Sequence, residues 1–216
     1  MNVDFARRQM VRQQVRAWDV SDETVLNVIA ACARELFVPS DYAHLAFADA
    51  EIPLGHGQYM MRPIVEGRLL QSLAIGQGDN VLEIGTGSGY LTACLATLAA
   101  SVTSVDIYED FVDRARERLS DAGIDNISLM HMDATRELPA GQFDVIAVTG
   151  SIPQPDPRFV EALIPGGRLF VVIGESPVMT AQLIRKDNAD ATVAETLFET
   201  DLKPLENAQG PPSFEF

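Results

Sequence analysis

Apolar positions along the 216-residue chain change their period near residue 79. Before it they recur at helical spacing. Val11, Val15 and Trp18 stand at i, i+4 and i+7, and Val25, Ile29 and Cys32 form a second buried face after Ser21, with Asp22 and Glu23 in its first turn. Pro39 ends that pattern. The stretch from Ala48 to Pro63, ADAEIPLGHGQYMMRP, has no period and reads as a long, functional loop. A helix follows through Val65, Leu69, Ser72 and Leu73, stopping near Gly76–Gly78.

From Asp79 the pattern alternates between strand and helix. NVLEIG, SVTSVD, ISLMHMD, FDVIAVTG and GRLFVVIG are strand-like, with helices expected over 90–100, along the face Val112, Ala115 and Leu119 up to Gly123, and over RFVEALI. That order predicts an α/β fold with a mostly parallel sheet and helices on both faces. TAQLIRKD and TVAETLFETDLKPL, joined by the turn NADA, predict an antiparallel C-terminal hairpin at the sheet edge, and PPSFEF a loosely held terminus. One domain over 1–216 is expected: an N-terminal helical cap (1–50), an active loop with its helix (51–78) and a ligand-binding core (79–216).

Composition narrows the class. Apolar residues reach 47% and charged residues 22%, so the chain can bury a full core without disulfides or structural metal. Cys32 and Cys94 both sit in apolar helical runs, and no His/Cys/Asp/Glu cluster has metal-ligand spacing, so no metal is expected. No apolar span suits a membrane helix or a secretory leader, which points to the cytoplasm. The net charge of −15 argues against nucleic acid as a partner. Five arginines and five acids cancel within residues 1–40. Arg8, Arg12 and Arg16 share one helical face, read as a solvated stripe; its alternative is a docking face for an acidic protein.

The chemistry concentrates in Val81-Leu82-Glu83-Ile84-Gly85-Thr86-Gly87-Ser88-Gly89-Tyr90, a strand running into three alternate glycines and then a helix. Glycines there let a ligand approach the backbone beside free helix N–H groups. Asp106, at the end of the next strand, can accept hydrogen bonds from a ribose diol. A dinucleotide fingerprint would read G-x-G-x-x-G; here the spacing is G-x-G-x-G behind Glu83, an acid suited to a cationic ligand. This E-x-G-x-G-x-G pattern looks like that of S-adenosylmethionine-dependent methyltransferases, and it disfavours a nicotinamide oxidoreductase.

Further motifs extend the likeness over nearly the whole chain. Leu36-Phe37-Val38-Pro39, Ile52-Pro53-Leu54-Gly55-His56-Gly57-Gln58, the VLEIGTGSGY loop, Phe143-Asp144-Val145-Ile146-Ala147-Val148-Thr149, Gly166-Gly167-Arg168-Leu169 and Leu202-Lys203-Pro204-Leu205 occur in order. Together they resemble the protein-L-isoaspartate O-methyltransferase family. The resemblance implies a Rossmann-like class I methyltransferase fold, S-adenosylmethionine as cofactor and methyl transfer to an isoaspartyl carboxylate in a protein or peptide. It places the cofactor on Glu83, Gly85, Thr86, Gly87, Ser88, Gly89, Asp106, Ile107, Asp133, Ala134 and Thr149, and the acceptor beside Tyr59, Met61 and Arg62.

The chain departs from the family where Tyr59-Met60-Met61-Arg62-Pro63 replaces Thr-Ile-Ser-Gln-Pro, and where Met132-Asp133-Ala134 replaces Gly-Asp-Gly. Met61 removes a hydroxyl and adds bulk, so weak turnover of isoaspartyl peptides is expected, with Arg62 left to grip a carboxylate. Two alternatives follow: a small aromatic or phenolic acceptor, with His56 or Tyr59 as proton acceptor, or a cofactor-binding partner module without repair activity. His56, Tyr59 and His131 read first as packing or hydrogen-bonding residues.

Overall fold

The computed structural model describes residues 2–187 and 191–208. The tip of the expected NADA turn and the PPSFEF tail therefore lie outside the described residues. The N-terminal segment begins with α1 (Val3–Met10), whose first turn is capped by the Asn2 side chain accepting from the Phe5 amide at 3.1 Å. It widens into a π-helical turn over Val11–Val15 and tightens into a 3-10 turn over Arg16–Trp18. This change of period corrects the expected face. Val11 and Val15 stay buried, but Trp18 is rotated outward and 50% exposed. It also breaks the even helical repeat assumed for Arg8, Arg12 and Arg16. In α2 (Glu23–Ala31) Asp22 is the cap rather than part of the first turn, accepting from the Thr24 amide at 2.7 Å. Val25 and Ile29 are buried there, and Cys32 is partly so.

The long loop expected over 48–63 contains a small antiparallel ribbon, β1 (Ile52–Gly55) with β2 (Gln58–Met60). α3 (Pro63–Leu73) follows with proline at its first position, where no amide partner is lost.

Seven strands then form one sheet: β3 (Asn80–Ile84), β4 (Ser101–Asp106), β5 (Ile127–His131), β6 (Phe143–Ile152), β7 (Leu163–Glu175), β8 (Val178–Lys186) and β9 (Thr192–Thr200). Their order is β5-β4-β3-β6-β7-β8-β9, parallel from β5 to β7 and antiparallel through β8 and β9. The helices between them are α4 (Tyr90–Leu98), α5 (Glu109–Asp121) and α6 (Pro157–Glu161). The last is shorter than the RFVEALI pattern predicts, because Leu163 already belongs to β7 and pairs with Phe143.

Alternation along the strands sorts the core into two clusters. Val81 joins a cluster shared with α2, α3, α4 and α5, whereas Leu82 and Ile84 face a second cluster to which α6 supplies Phe159. The strand order reverses at β3, so a crevice opens above the carboxyl ends of β3, β4 and β6.

Candidate active site

One cleft occupies that crevice. Its floor is built from the strand ends and the turns that leave them: Gly85 and Gly87 after β3, Asp106, Ile107 and Tyr108 after β4, Asp133 and Ala134 after β5, and Thr149 in β6. Its wall comes from Glu51, Gln58, Tyr59 and Met61 of the β-ribbon region, and from Leu202, Lys203, Pro204 and Leu205 of the segment after β9. That segment is fixed by hydrogen bonds from the Ser151 amide to the Lys203 carbonyl (2.9 Å) and from the Leu205 amide to the Ser151 carbonyl (2.8 Å).

The glycine loop is shaped to admit a ligand against bare backbone. Gly85 has φ +100°, and a Cβ there would lie 2.2 Å from Thr149 Oγ1. That hydroxyl is itself held, donating to the carbonyls of Ile84 (2.9 Å) and Gly85 (2.8 Å). Gly87 has φ +52°, and its amide donates to Asp106 Oδ2 at 2.8 Å, while Asp106 Oδ1 accepts from the Tyr108 amide at 3.0 Å. Burial pushes the Asp106 carboxyl up, opposed by these amides. A cradle that a side chain would fill, next to a carboxylate with lone pairs still open, fits the ribose end of an adenosyl ligand.

Asp133 is more heavily engaged. It accepts from the Thr135 amide (3.0 Å) and hydroxyl (2.6 Å), from Asn207 Nδ2 (2.9 Å) and from Arg136 (3.2 Å). Burial would raise its pKa, but the bonds from Thr135 and Asn207 prevail and hold it below the usual value. An adenine amino group would have to compete with these donors.

Four expected ligand-binding residues do not line the cleft. Glu83 points, like Val81, beneath α4, where it is fully buried and accepts from the hydroxyls of Thr92 and of Ser104 (2.6 Å). The Thr86 hydroxyl extends this network to Ser104 at 2.6 Å, and Ser88 Oγ accepts from the Tyr90 amide at 3.2 Å. Gly89 caps α4 with its open side against Ala115. Glu83 therefore does not present a bare carboxylate to a cation, as the sequence suggested. Strand alternation turns it away, and burial raises its pKa to about 8 in spite of the hydroxyls from Ser104 and Thr92. With an ordinary value of 4.5, it holds an extra proton in the folded state. Its contribution to stability is thus complete below about pH 4.5 and lost as pH rises towards about 8. Glu83→Gln should flatten that loss, so melting curves recorded from about pH 5 to about pH 9 should favour the variant increasingly over the native protein. A parallel decline of both proteins would refute the assignment.

On the acceptor side Tyr59 is 40% exposed and Met61 is buried, both lining the cleft. Arg62 is not there. It pairs with Asp49 and lines an adjoining groove with Trp18, Arg68 and Phe198, so it is not the free carboxylate grip expected of it. His56 stacks on Tyr108, with ring centroids 4.1 Å apart, and bonds to Asp110 at 2.9 Å; His131 contacts the Ile107 carbonyl at 3.0 Å. Neither histidine lines the cleft.

Sequence reasoning passed over Arg34, counting it only in the charge balance of residues 1–40. It is fully buried, pairs with Glu66 of α3, donates to the Met61 carbonyl at 2.7 Å and stacks 4.8 Å over the Tyr90 ring. One side chain thus ties the acceptor loop, α3 and the first residue of α4 together. Burial pushes Glu66 up, to about 7, against the pull of that guanidinium. No residue-type signal marks Arg34 as buried; the one local cue is its place two residues before Leu36-Phe37-Val38-Pro39. Lys203 and Tyr108 were also missed as lining residues, although the first lies inside a quoted motif and the second two residues beyond Asp106.

Comparison with known proteins agrees with this geometry. Residues 6–209 match the family model for protein-L-isoaspartate(D-aspartate) O-methyltransferase. A protein-L-isoaspartate O-methyltransferase of Methanoculleus marisnigri is 40% identical over 169 residues, 78% of this chain and 77% of that one. One of Anaeromyxobacter sp. is 36% identical over 199 residues, covering 91% and 94%. Among solved structures, a Plasmodium falciparum chain assigned to the same activity, in complex with S-adenosyl-L-homocysteine, superposes with a TM-score of 0.80 at 21% identity, over 93% of this chain and 98% of that one. This last likeness concerns the fold.

Proposed function

The chain belongs to the protein-L-isoaspartate(D-aspartate) O-methyltransferase family, and from that premise we propose that it methylates the α-carboxylate of isoaspartyl residues in proteins or peptides, with S-adenosylmethionine as donor. The observation that carries the reading is one cleft with a glycine-and-carboxylate floor and, among the described residues, no histidine or cysteine in its lining. A carboxylate is already ionised near pH 7, so it can act as nucleophile without giving up a proton. A catalytic base is unnecessary. The remaining requirements are alignment of the two reactants and exclusion of water.

The chain's residues divide those tasks. Asp106 holds the ribose hydroxyls, the backbone of Gly85 and Gly87 lies against the ligand, and Ile107, Ala134 and Thr149 complete the walls around it. S-adenosylmethionine supplies a methyl group activated by its sulfonium. Tyr59, Met61 and Leu202 keep water from the acceptor end, and Arg34 fixes the Met61 peptide from behind. Glu83, Thr86, Ser88 and Gly89 act one layer below, holding the loop in shape.

The Tyr59-Met60-Met61 departure does not favour a phenolic acceptor. Of the two proton acceptors considered for that chemistry, His56 is outside the cleft and Tyr59 alone lines it. The family match also spans the altered loop. Among the described residues no helix is long and apolar enough to cross a membrane.

The test is methyl transfer from labelled S-adenosylmethionine to an isoaspartyl peptide and to its aspartyl twin. Transfer to the first alone is expected; transfer to neither, with the cofactor bound, would refute the substrate assignment. In the same protein Asp106→Ala should weaken S-adenosylmethionine binding by about 1.5–3 kcal/mol, as for a lost hydrogen bond to a charged group. Unchanged affinity by calorimetry would remove Asp106 from the site.

A further inference from the structure

The cleft poses an electrostatic problem for the substrate just proposed. Four carboxyl-bearing side chains line it, Glu51, Asp106, Asp133 and Glu206, and the acceptor is itself an anion. Met61, which lines the acceptor end of the cleft, offers no side-chain hydrogen bond to a carboxylate. Arg62 is committed to Asp49 in the neighbouring groove. Lys203 is the one basic residue in the cleft lining among the described residues.

Its surroundings suit it to a bound anion. The Lys203 ammonium lies 5.9 Å from the centroid of the Tyr59 ring, which places it beside the acceptor wall. Among the described residues no carboxylate lies within 4.0 Å of it, whereas Arg7, Arg16, Arg34, Arg62, Arg68 and Arg114 each have such a partner. The backbone that carries it is pinned on both sides to Ser151 at the end of β6. A fixed backbone whose ammonium feels Glu51 of the same cleft but forms no direct ion pair can answer an incoming charge without first breaking one.

We propose that Lys203 captures the acceptor carboxylate, for which the apolar Met61 side chain provides no partner, an inference that rests on the isoaspartyl reading above. The attraction acts mainly before reaction. The carboxylate oxygen attacks the methyl carbon, the carbon–sulfur bond breaks with its electron pair going to sulfur, and the product ester is neutral. The ammonium therefore meets its strongest partner in the ground state, and its removal belongs in KM and in peptide affinity rather than in kcat.

The experiment compares the native protein with Lys203→Met and Lys203→Arg. Calorimetry in the presence of S-adenosylhomocysteine measures an isoaspartyl peptide and the same peptide with that α-carboxyl amidated; initial rates and S-adenosylmethionine affinity are measured alongside. Lys203→Met should weaken the acid peptide roughly ten- to hundredfold, raise KM correspondingly, leave kcat no lower than the native value, and leave cofactor affinity and the amidated peptide unaffected. Lys203→Arg should retain most of the affinity. Native turnover of the isoaspartyl peptide with an unaltered KM in Lys203→Met would overturn the role of Lys203 alone. So would equal losses for the acid and the amide. A native protein that neither binds nor methylates the isoaspartyl peptide would instead overturn the substrate assignment, and this inference with it.

Discussion

Arg34→Met is expected to lower the unfolding free energy by about 3–5 kcal/mol, the range for removing one partner of a buried ion pair. The native side chain is fully buried, and its removal leaves Glu66 without its cation and the Met61 carbonyl without the donor at 2.7 Å. At about 2–4 °C per kcal/mol for a chain of this size, the melting temperature should fall by roughly 6–20 °C. The double variant Arg34→Met/Glu66→Met replaces both charges with apolar volume and should recover much of the loss. Calorimetric melting of the three proteins decides it. A single variant that melts with the native protein, or a double variant worse than the single by a further full step, would show that the pair does not hold this region.

Gly85→Ala is expected to abolish S-adenosylmethionine binding. Alanine at φ +100° is strained by about 1–2 kcal/mol before any contact is counted. Its methyl group would also lie 2.2 Å from Thr149 Oγ1, a hydroxyl fixed between two carbonyls. Either the loop or Thr149 must move, and both line the cleft. Circular dichroism should show a folded, less stable protein in which no binding heat is detected. Because Gly87 has φ +52° and a Cβ there would lie 3.3 Å from Leu54 Cδ1, Gly87→Val provides a second variant with a different collision. Native affinity in either protein would contradict the glycine loop as the cofactor cradle.

Much of this architecture was legible in the chain because strand and helix periods are local. SVTSVD became β4 residue for residue, and Asp106 emerged at the mouth of the crevice because a strand that ends at the switch point delivers its last residue there. The misreadings share a cause: each depended on what a side chain meets across the fold. Glu83 stands in a motif that suggests a ligand, yet the two-residue repeat of β3 turns it under α4. Trp18 keeps helical spacing with Val11 and Val15, but the π turn over Val11–Val15 and the 3-10 turn over Arg16–Trp18 reset the phase. Arg62 meets Asp49, thirteen positions earlier, and no local rule foresees that pairing. Arg34 is the opposite case. Arginine is rarely buried, so composition favoured the surface, and only the tertiary meeting of α3, the acceptor loop and Tyr90 makes its burial tolerable.

The outward turn of Trp18 has an optical consequence. It is the one tryptophan of the chain, half exposed, at the lip of a groove that shares Glu51, Leu202, Lys203 and Pro204 with the cleft. Indole emission from this protein therefore comes from one known place, shifted to the red by water and open to a dissolved quencher. A polypeptide lying along that groove would cover the ring, whereas the glycine loop belongs to the cleft and not to the groove. Quenching of that single emitter would thus report occupancy of the groove without a label.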